Sequence, residues 1–332
     1  MTVPLHVFKQ TVRSLFAPIA CFLDADDIDE IMINGHDEIY VEKEGRLHLT
    51  SKRFPSEHAL MSALRNLSQY VGRDLSPEKP ILEARLPDGA RVEAIIPPAA
   101  RGGPSVCIRR FPKSQLTFER LVEVGTIAAD SVGILRNMVA RRHNVVIGGG
   151  SGSGKTSLLN ALSCLVREEE RVVVIEDAQE LHLSLPHVVQ LEAQPPDLRG
   201  HGGVTVRELF RATLRMRPDR IIIGEIRGGE ALELIQAMTS GHRGCLATIH
   251  GTLPRDTLSR LETMALMSDV ELPLHVLRAQ IASAIDGIVQ VARLPDGKRL
   301  ITHIVELHGY DWDLGYGMHT VFDCGGGMES ST

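Results

Sequence analysis

The chain has 332 residues, 43% hydrophobic and 23% charged, which is the composition of a soluble globular protein with length enough for two ordinary domains. A net charge of −6 weighs against a protein that coats nucleic acid, and no apolar run approaches a membrane span. Five widely spaced cysteines without a Cys-x-x-Cys pair indicate neither a cysteine zinc site nor a disulfide framework, and an N-terminus without a basic region and apolar core points to the cytoplasm.

Residues 1–112 read as a mixed α+β domain. Leu5, Phe8, Val12, Leu15 and Phe16 recur at helical spacing. Strands are expected at Glu30–Ile33 and Glu38–Glu42 around the turn signal Asn34-Gly35, and again at Leu47–Thr50. Ser56 is placed to cap a helix that runs through Leu60, Leu64 and Leu67. Ile81–Leu86 and Arg91–Ile96 form a hairpin around Pro87-Asp88-Gly89, and Val106–Phe111 adds a last strand.

Pro112-Lys113-Ser114 marks the joint to a second domain over 113–310, where helices alternate with β-branched runs as in a parallel α/β sheet. Strands are expected at Asn144–Ile147, Arg171–Ile175, Val188–Glu192, Arg220–Ile223 and Cys245–Thr248. Helices are expected at Asp130–Arg142, Lys155–Leu165, Thr205–Met216, Gly229–Ser240 and Pro254–Met267. Residues 311–332 read as a partly disordered tail, and no internal repeat stands out.

Gly149-Gly150-Ser151-Gly152-Ser153-Gly154-Lys155-Thr156, followed by Ser157, satisfies the phosphate-loop pattern between an apolar strand and an apolar-faced helix. Its N–H groups and the helix N-terminus suit phosphate oxygens. Lys155 would reach the β- and γ-phosphates of ATP, and the Thr156 hydroxyl would ligate Mg²⁺. A glycine-rich loop without this role would not need that strand and helix.

Two later strands run into carboxylates: Val172–Ile175 into Glu176-Asp177, and Ile221–Ile223 into Gly224-Glu225. Ligands of an open parallel sheet bind beyond the carboxyl ends of strands, so these acids belong beside the phosphates. Glu225 is assigned as the group that orients or activates water, and Glu176 and Asp177 as supports for Mg²⁺. Gly224 would let its strand end approach the nucleotide. The plainer alternative is that the acids only solvate strand ends.

His250 closes another strand on the same edge, placed to sense the γ-phosphate or a neighbouring subunit. Arg91 after its hairpin, and Arg109 and Arg110 at the end of the first domain, are candidates for reaching a nucleotide held by the second. Ordinary surface charge is the competing reading for arginines.

Together the phosphate loop, Ile175-Glu176-Asp177, Arg220–Glu225 and Gly241–His250 resemble the traffic ATPases of type II and type IV secretion and pilus systems. Leu214–Ile221, Gly228–Ala231, Ala247–His250, Pro254-Arg255-Asp256 and Arg260–Met264 are most similar to the tight-adherence (Tad) pilus branch. The resemblance implies a PAS-like domain before a RecA-like ATPase domain. It also implies a homohexamer and peripheral work at the inner membrane on a polytopic platform protein, with no specific nucleic acid as partner. Gly251 after His250 departs from the pattern, and the chain's length resembles the conjugative type IV secretion ATPases. These remain the alternative within the class; a nucleotide-dependent switch and a RecA-like helicase are alternatives outside it.

Overall fold

Apolar residues on alternate positions in the first hundred residues build a one-sided sheet, whereas the continuous apolar runs that follow build a sheet covered on both sides. The computed structural model describes residues 5–43, 45–110, 116–194, 196 and 201–325. Two units are distinguished, Met1–Ser114 with Pro196–Gly202, and Gln115–Pro195 with Gly203–Thr332.

In the first unit, α1 (Leu5–Leu15) and α2 (Ala20–Asp24) precede β1 (Glu30–Asn34), β2 (Glu38–Lys43) and β3 (Arg46–Leu49). Helix α3 (Glu57–Tyr70) leads to β4 (Ile81–Arg85), β5 (Arg91–Ile95) and β6 (Ser105–Arg109). The strands pair antiparallel in the order β3-β2-β1-β6-β5-β4. Ile31, Ile33, Val92, Ala94, Val106 and Ile108 turn to one face and meet Leu60, Leu64 and Leu67 of α3 in one core. The Ser56 hydroxyl accepts from the Ala59 N–H at 3.2 Å and starts α3 as expected. Strand β6 ends at Arg109, short of the expected Phe111. The expected joint at Pro112–Ser114 lies outside the described residues.

The second unit opens with α4 (Phe118–Glu123) and α5 (Ala129–Ala140), then β7 (Val145–Gly149), α6 (Lys155–Ser163), β8 (Val172–Glu176) and β9 (Val188–Glu192). Next come α7 (Val206–Thr213), β10 (Arg220–Ile223), α8 (Glu230–Thr239), β11 (Leu246–His250), α9 (Pro254–Leu266) and α10 (Leu274–Ala284). Strands β12 (Gly287–Arg293), β13 (Arg299–Asp311) and β14 (Gly315–Asp323) close it. The eight-stranded order is β14-β13-β12-β7-β11-β10-β8-β9, parallel from β12 to β9 and antiparallel at β13 and β14. Val173, Ile175, Ile221 and Ile223 pack with Phe210, Leu234 and Leu261 on one face. Val172, Val174 and Ile222 pack with Leu135, Leu158 and Leu162 on the other.

The expectation of a tail over 311–332 is corrected for Gly315–Asp323, which form an edge strand paired with β13. The edge strand is half-exposed and interrupted by glycines, so its alternation is weak in the sequence. The rest of the expected tail from 326 on lies outside the described residues.

At the amino edge of the parallel strands Arg220, 2% exposed, holds three segments together. Its Nε donates to Glu170 Oε2 at 2.7 Å and one Nη to the Val139 carbonyl at 2.7 Å, while the other Nη reaches the Gly244 carbonyl at 3.4 Å. Removing one partner of a buried ion pair strands the other charge. Arg220→Ala is expected to lower the unfolding free energy by about 3 kcal/mol, read from the urea midpoint.

Candidate active site

Register places the second unit's candidate groups on one edge. Gly149 pairs with His250, and Ile223 with Ile175 and Ala247. The ends of β7, β11, β10 and β8 therefore present, side by side, the phosphate loop, His250, Gly224-Glu225 and Glu176-Asp177.

The loop from Gly149 turns into α6 at Gly154, whose φ of +96° belongs to the left-handed region that a side chain disfavours. Ser153 Oγ donates to the Gly150 carbonyl at 2.9 Å, and Lys155 Nζ donates to the same oxygen at 2.9 Å. Lys155 is buried. Its ammonium is thus held at the mouth of the loop, over the N-terminus of α6, and this set of donors fits a phosphate. Thr156 and Ser157 follow on the first turn of α6, half-buried, and Ser151 is exposed at the loop's crest.

Beyond the loop the charged groups form a chain. His250 Nε2 lies 2.9 Å from Glu225 Oε1. Arg227 contacts Glu225 Oε2 at 2.5 Å and Asp177 Oδ2 at 2.9 Å. Burial, with the Lys155 charge added, holds the His250 pKa below its usual value against the pull of Glu225. A neutral imidazole can donate Nε2–H to Glu225 and so aim that carboxylate. Asp177 is exposed.

Glu176 is different. It is 3% exposed, and its Oε1 accepts from the Glu180 and Leu181 N–H groups at 2.9 and 3.0 Å. Burial pushes its pKa up to about 7 in spite of those bonds. A Cβ at Gly224 would stand 2.9 Å from Glu176 Cγ, so this glycine makes room for Glu176, a nearer need than the approach of a nucleotide. Glu176 braces the loop that follows β8.

Sequence reasoning missed two arginines at this edge. Arg299 Nε donates to the Gly152 carbonyl at 2.9 Å, and Arg293 lies against the same glycine. They face each other across the β12–β13 hairpin. The signal was present, and the expectation of no internal repeat is corrected on a small scale. Arg85-Leu86-Pro87-Asp88-Gly89-Ala90-Arg91 recurs as Arg293-Leu294-Pro295-Asp296-Gly297-Lys298-Arg299. Both are hairpins that end in opposed arginines, with a glycine at φ +95° or +90° and an Asp Oδ1 accepting from the second residue onward.

In the first unit Arg91 stands opposite Arg85 on one side and Arg109 on the other. Arg110 is instead buried, its guanidinium donating to the Ala25 and Ile28 carbonyls. It fastens the segment before β1, so the expectation of a reaching arginine passes to Arg91 and Arg109.

A family model described as type II/IV secretion system protein matches residues 14–307. The chain belongs to this family. The type IV secretion system protein PtlH of Bordetella pertussis is 35% identical over 300 residues, 82% of this chain and 87% of PtlH. A probable conjugal transfer protein TrbB of Sinorhizobium fredii is 32% identical over 299 residues, 89% of this chain and 88% of TrbB. The VirB11 ATPase of the Brucella suis type IV secretion system, solved with sulphate, aligns at 29% identity and TM-score 0.50, covering 91% of this chain and 96% of that one. The second unit of this secretion-family chain is accordingly a RecA-like P-loop domain.

Two outcomes follow from this geometry. Arg299→Ala frees the Gly152 carbonyl and is expected to weaken nucleotide binding by roughly tenfold, the worth of a charged hydrogen bond, in a fluorescent-nucleotide titration. Glu176 binds its proton more tightly folded than unfolded, so stability falls as pH rises from the ordinary carboxylate range to about 7. Urea unfolding without nucleotide at about pH 5 and about pH 8 should show that loss, and Glu176→Gln should flatten it.

Proposed function

We propose that this chain is an ATP-hydrolysing motor, acting as a homohexameric ring on the cytoplasmic side of the inner membrane and driving a type IV secretion machine. The observation that carries the reading is Glu225, held between His250 and Arg227 on the sheet edge that bears the phosphate loop. Lys155 exchanges the Gly150 carbonyl for the β- and γ-phosphates. Thr156 and Asp177, with Glu176 bracing the loop behind, would hold Mg²⁺, which when bound supplies positive charge against the phosphates. Glu225 orients the attacking water, and neutral His250 fixes its carboxylate. Arg91 and Arg109 offer further positive charge to the transition state.

Among the described residues no helix is long and apolar enough to cross a membrane, so the reading gives membrane insertion to a polytopic platform partner. Relatives named for type IV secretion and conjugal transfer, aligned along most of both chains, favour the conjugative branch. The run Leu214–Ile221 with Pro254-Arg255-Asp256 supports a Tad-like pilus motor as the second reading.

Lys155→Ala is expected to lose nucleotide binding. Glu225→Gln is expected to keep ATP while turnover drops by about a hundredfold or more. Ordinary turnover in Glu225→Gln removes that residue from the mechanism. Capture of the ATP-locked variant from native membranes separates the branches: conjugative channel components support the first, a small pilus platform protein the second. Tight binding without turnover in the unaltered protein, or turnover driven by single-stranded DNA, would replace the motor with a switch or a helicase.

A further inference from the structure

The outer hairpin of the large sheet carries chemistry that ATP hydrolysis does not use, and most of it lies past residue 307, where the family match stops. Glu306 on β13 stands opposite His319 on β14, and Leu307 opposite Met318. Leu307 is buried in the core shared with α8, α9 and α10, and Met318 packs against that core. Alternation therefore turns Glu306, His308 and His319 to the other face. Their burial agrees, since Glu306 is half-buried and the two histidines are exposed.

Beyond this point the ladder is irregular. His308 and Gly309 together stand opposite one residue before pairing resumes at Tyr310 and Tyr316. Gly309 takes φ +99°, a left-handed conformation that favours glycine. The extra residue reverses the alternation. On β14 Tyr316 keeps the inner face with Met318, its hydroxyl donating to Glu262 at 2.7 Å, while His308 stays on the outer face with Glu306.

The ligand atoms of Glu306, His308 and His319 all lie within 4.8 Å of one another. His308 Nε2 is 3.9 Å from Glu306 Oε2, and the two imidazole centroids are 6.0 Å apart. We propose that these three side chains bind one divalent transition-metal ion of the Zn²⁺ class across the β13–β14 hairpin. Imidazole nitrogens with one carboxylate suit Zn²⁺, and they do not suit Mg²⁺ or Ca²⁺, which take oxygen ligands. Metal–ligand bonds of about 2.1 Å place ligands roughly 3.4 Å apart around a tetrahedral ion. Small rotations of exposed side chains supply that closure. Three protein ligands leave a fourth position for water or for a donor from a partner. The ion ties together two strands whose connecting turn presents Trp312 and Leu314, 70% and 89% exposed. The site is independent of the motor reading and of Mg²⁺ at the phosphate loop.

The test uses the full chain without a histidine tag, stripped with chelator and titrated with Zn²⁺ by calorimetry and with Co²⁺ by visible absorption. One equivalent is expected to bind with micromolar or tighter affinity and to raise the melting temperature. The double variant His308→Ala/His319→Ala is expected to lose about a hundredfold or more in affinity, together with the Co²⁺ bands and the thermal shift. Glu306→Gln should lose about tenfold. His48→Ala, an exposed histidine on β3, should change nothing. Affinity no better than millimolar in the unaltered chain, or equal affinity in the double variant, overturns the proposal. Because all three groups sit on one outward face of an edge hairpin, their loss leaves the core intact, and an unchanged circular dichroism spectrum verifies that.

Discussion

A parallel strand must be followed by a crossover that carries the chain back to the opposite end of the sheet, so neighbouring strands all finish on the same edge. Everything chemical in the larger unit depends on that constraint. The loop after β7, His250 at the end of β11, Glu225 after β10 and Glu176 at the end of β8 come from four segments spread over about a hundred residues of sequence. Once β7, β11, β10 and β8 are in register, these groups have no other place to be. The opposite edge is held as firmly, with Arg220 tying the start of β10 to Glu170, to the last turn of α5 and to the turn that precedes β11.

Along the active edge the electrostatics divides tasks by burial. Lys155 is desolvated and leans on a loop carbonyl, and its charge helps to hold the His250 imidazole neutral. Glu225 is shared between that imidazole and Arg227, which leaves the carboxylate aimed and its geometry limited. Glu176 is buried so fully that its pKa rises to about 7, and its Oε1 braces the backbone after β8. Ile223 pairs with Ile175, so Glu176 stands level with Gly224 and Glu225 one residue further along, and the two acids differ in burial accordingly.

The repeated Arg-Leu-Pro-Asp-Gly-x-Arg hairpin shows one device used on two scaffolds. In each, a tight turn sets two arginines at opposed backbone positions at the mouth of the hairpin. In the larger unit the phosphate-loop glycines lie within reach of one such pair.

Local chemistry made much of this legible before any coordinates. Gly149–Thr156 could be read because its glycines, lysine and threonine are required at fixed spacing, and the apolar runs ending in Glu176 and Glu225 could be read because buried parallel strands need continuous apolar residues. The Ser56 cap and the first arginine hairpin were local signals of the same kind. Tertiary structure alone decided that Arg110 faces inward, that Gly224 yields space to Glu176, and that Arg299 bonds to Gly152. It also decided that residues 315–323 join the sheet and bring His319 to Glu306 and His308. The physical reason is common to all of them. A spacing in sequence specifies a turn or a periodicity, whereas the partner of an edge strand or of a long side chain is set by segments distant along the chain, whose register appears only when the sheet has formed.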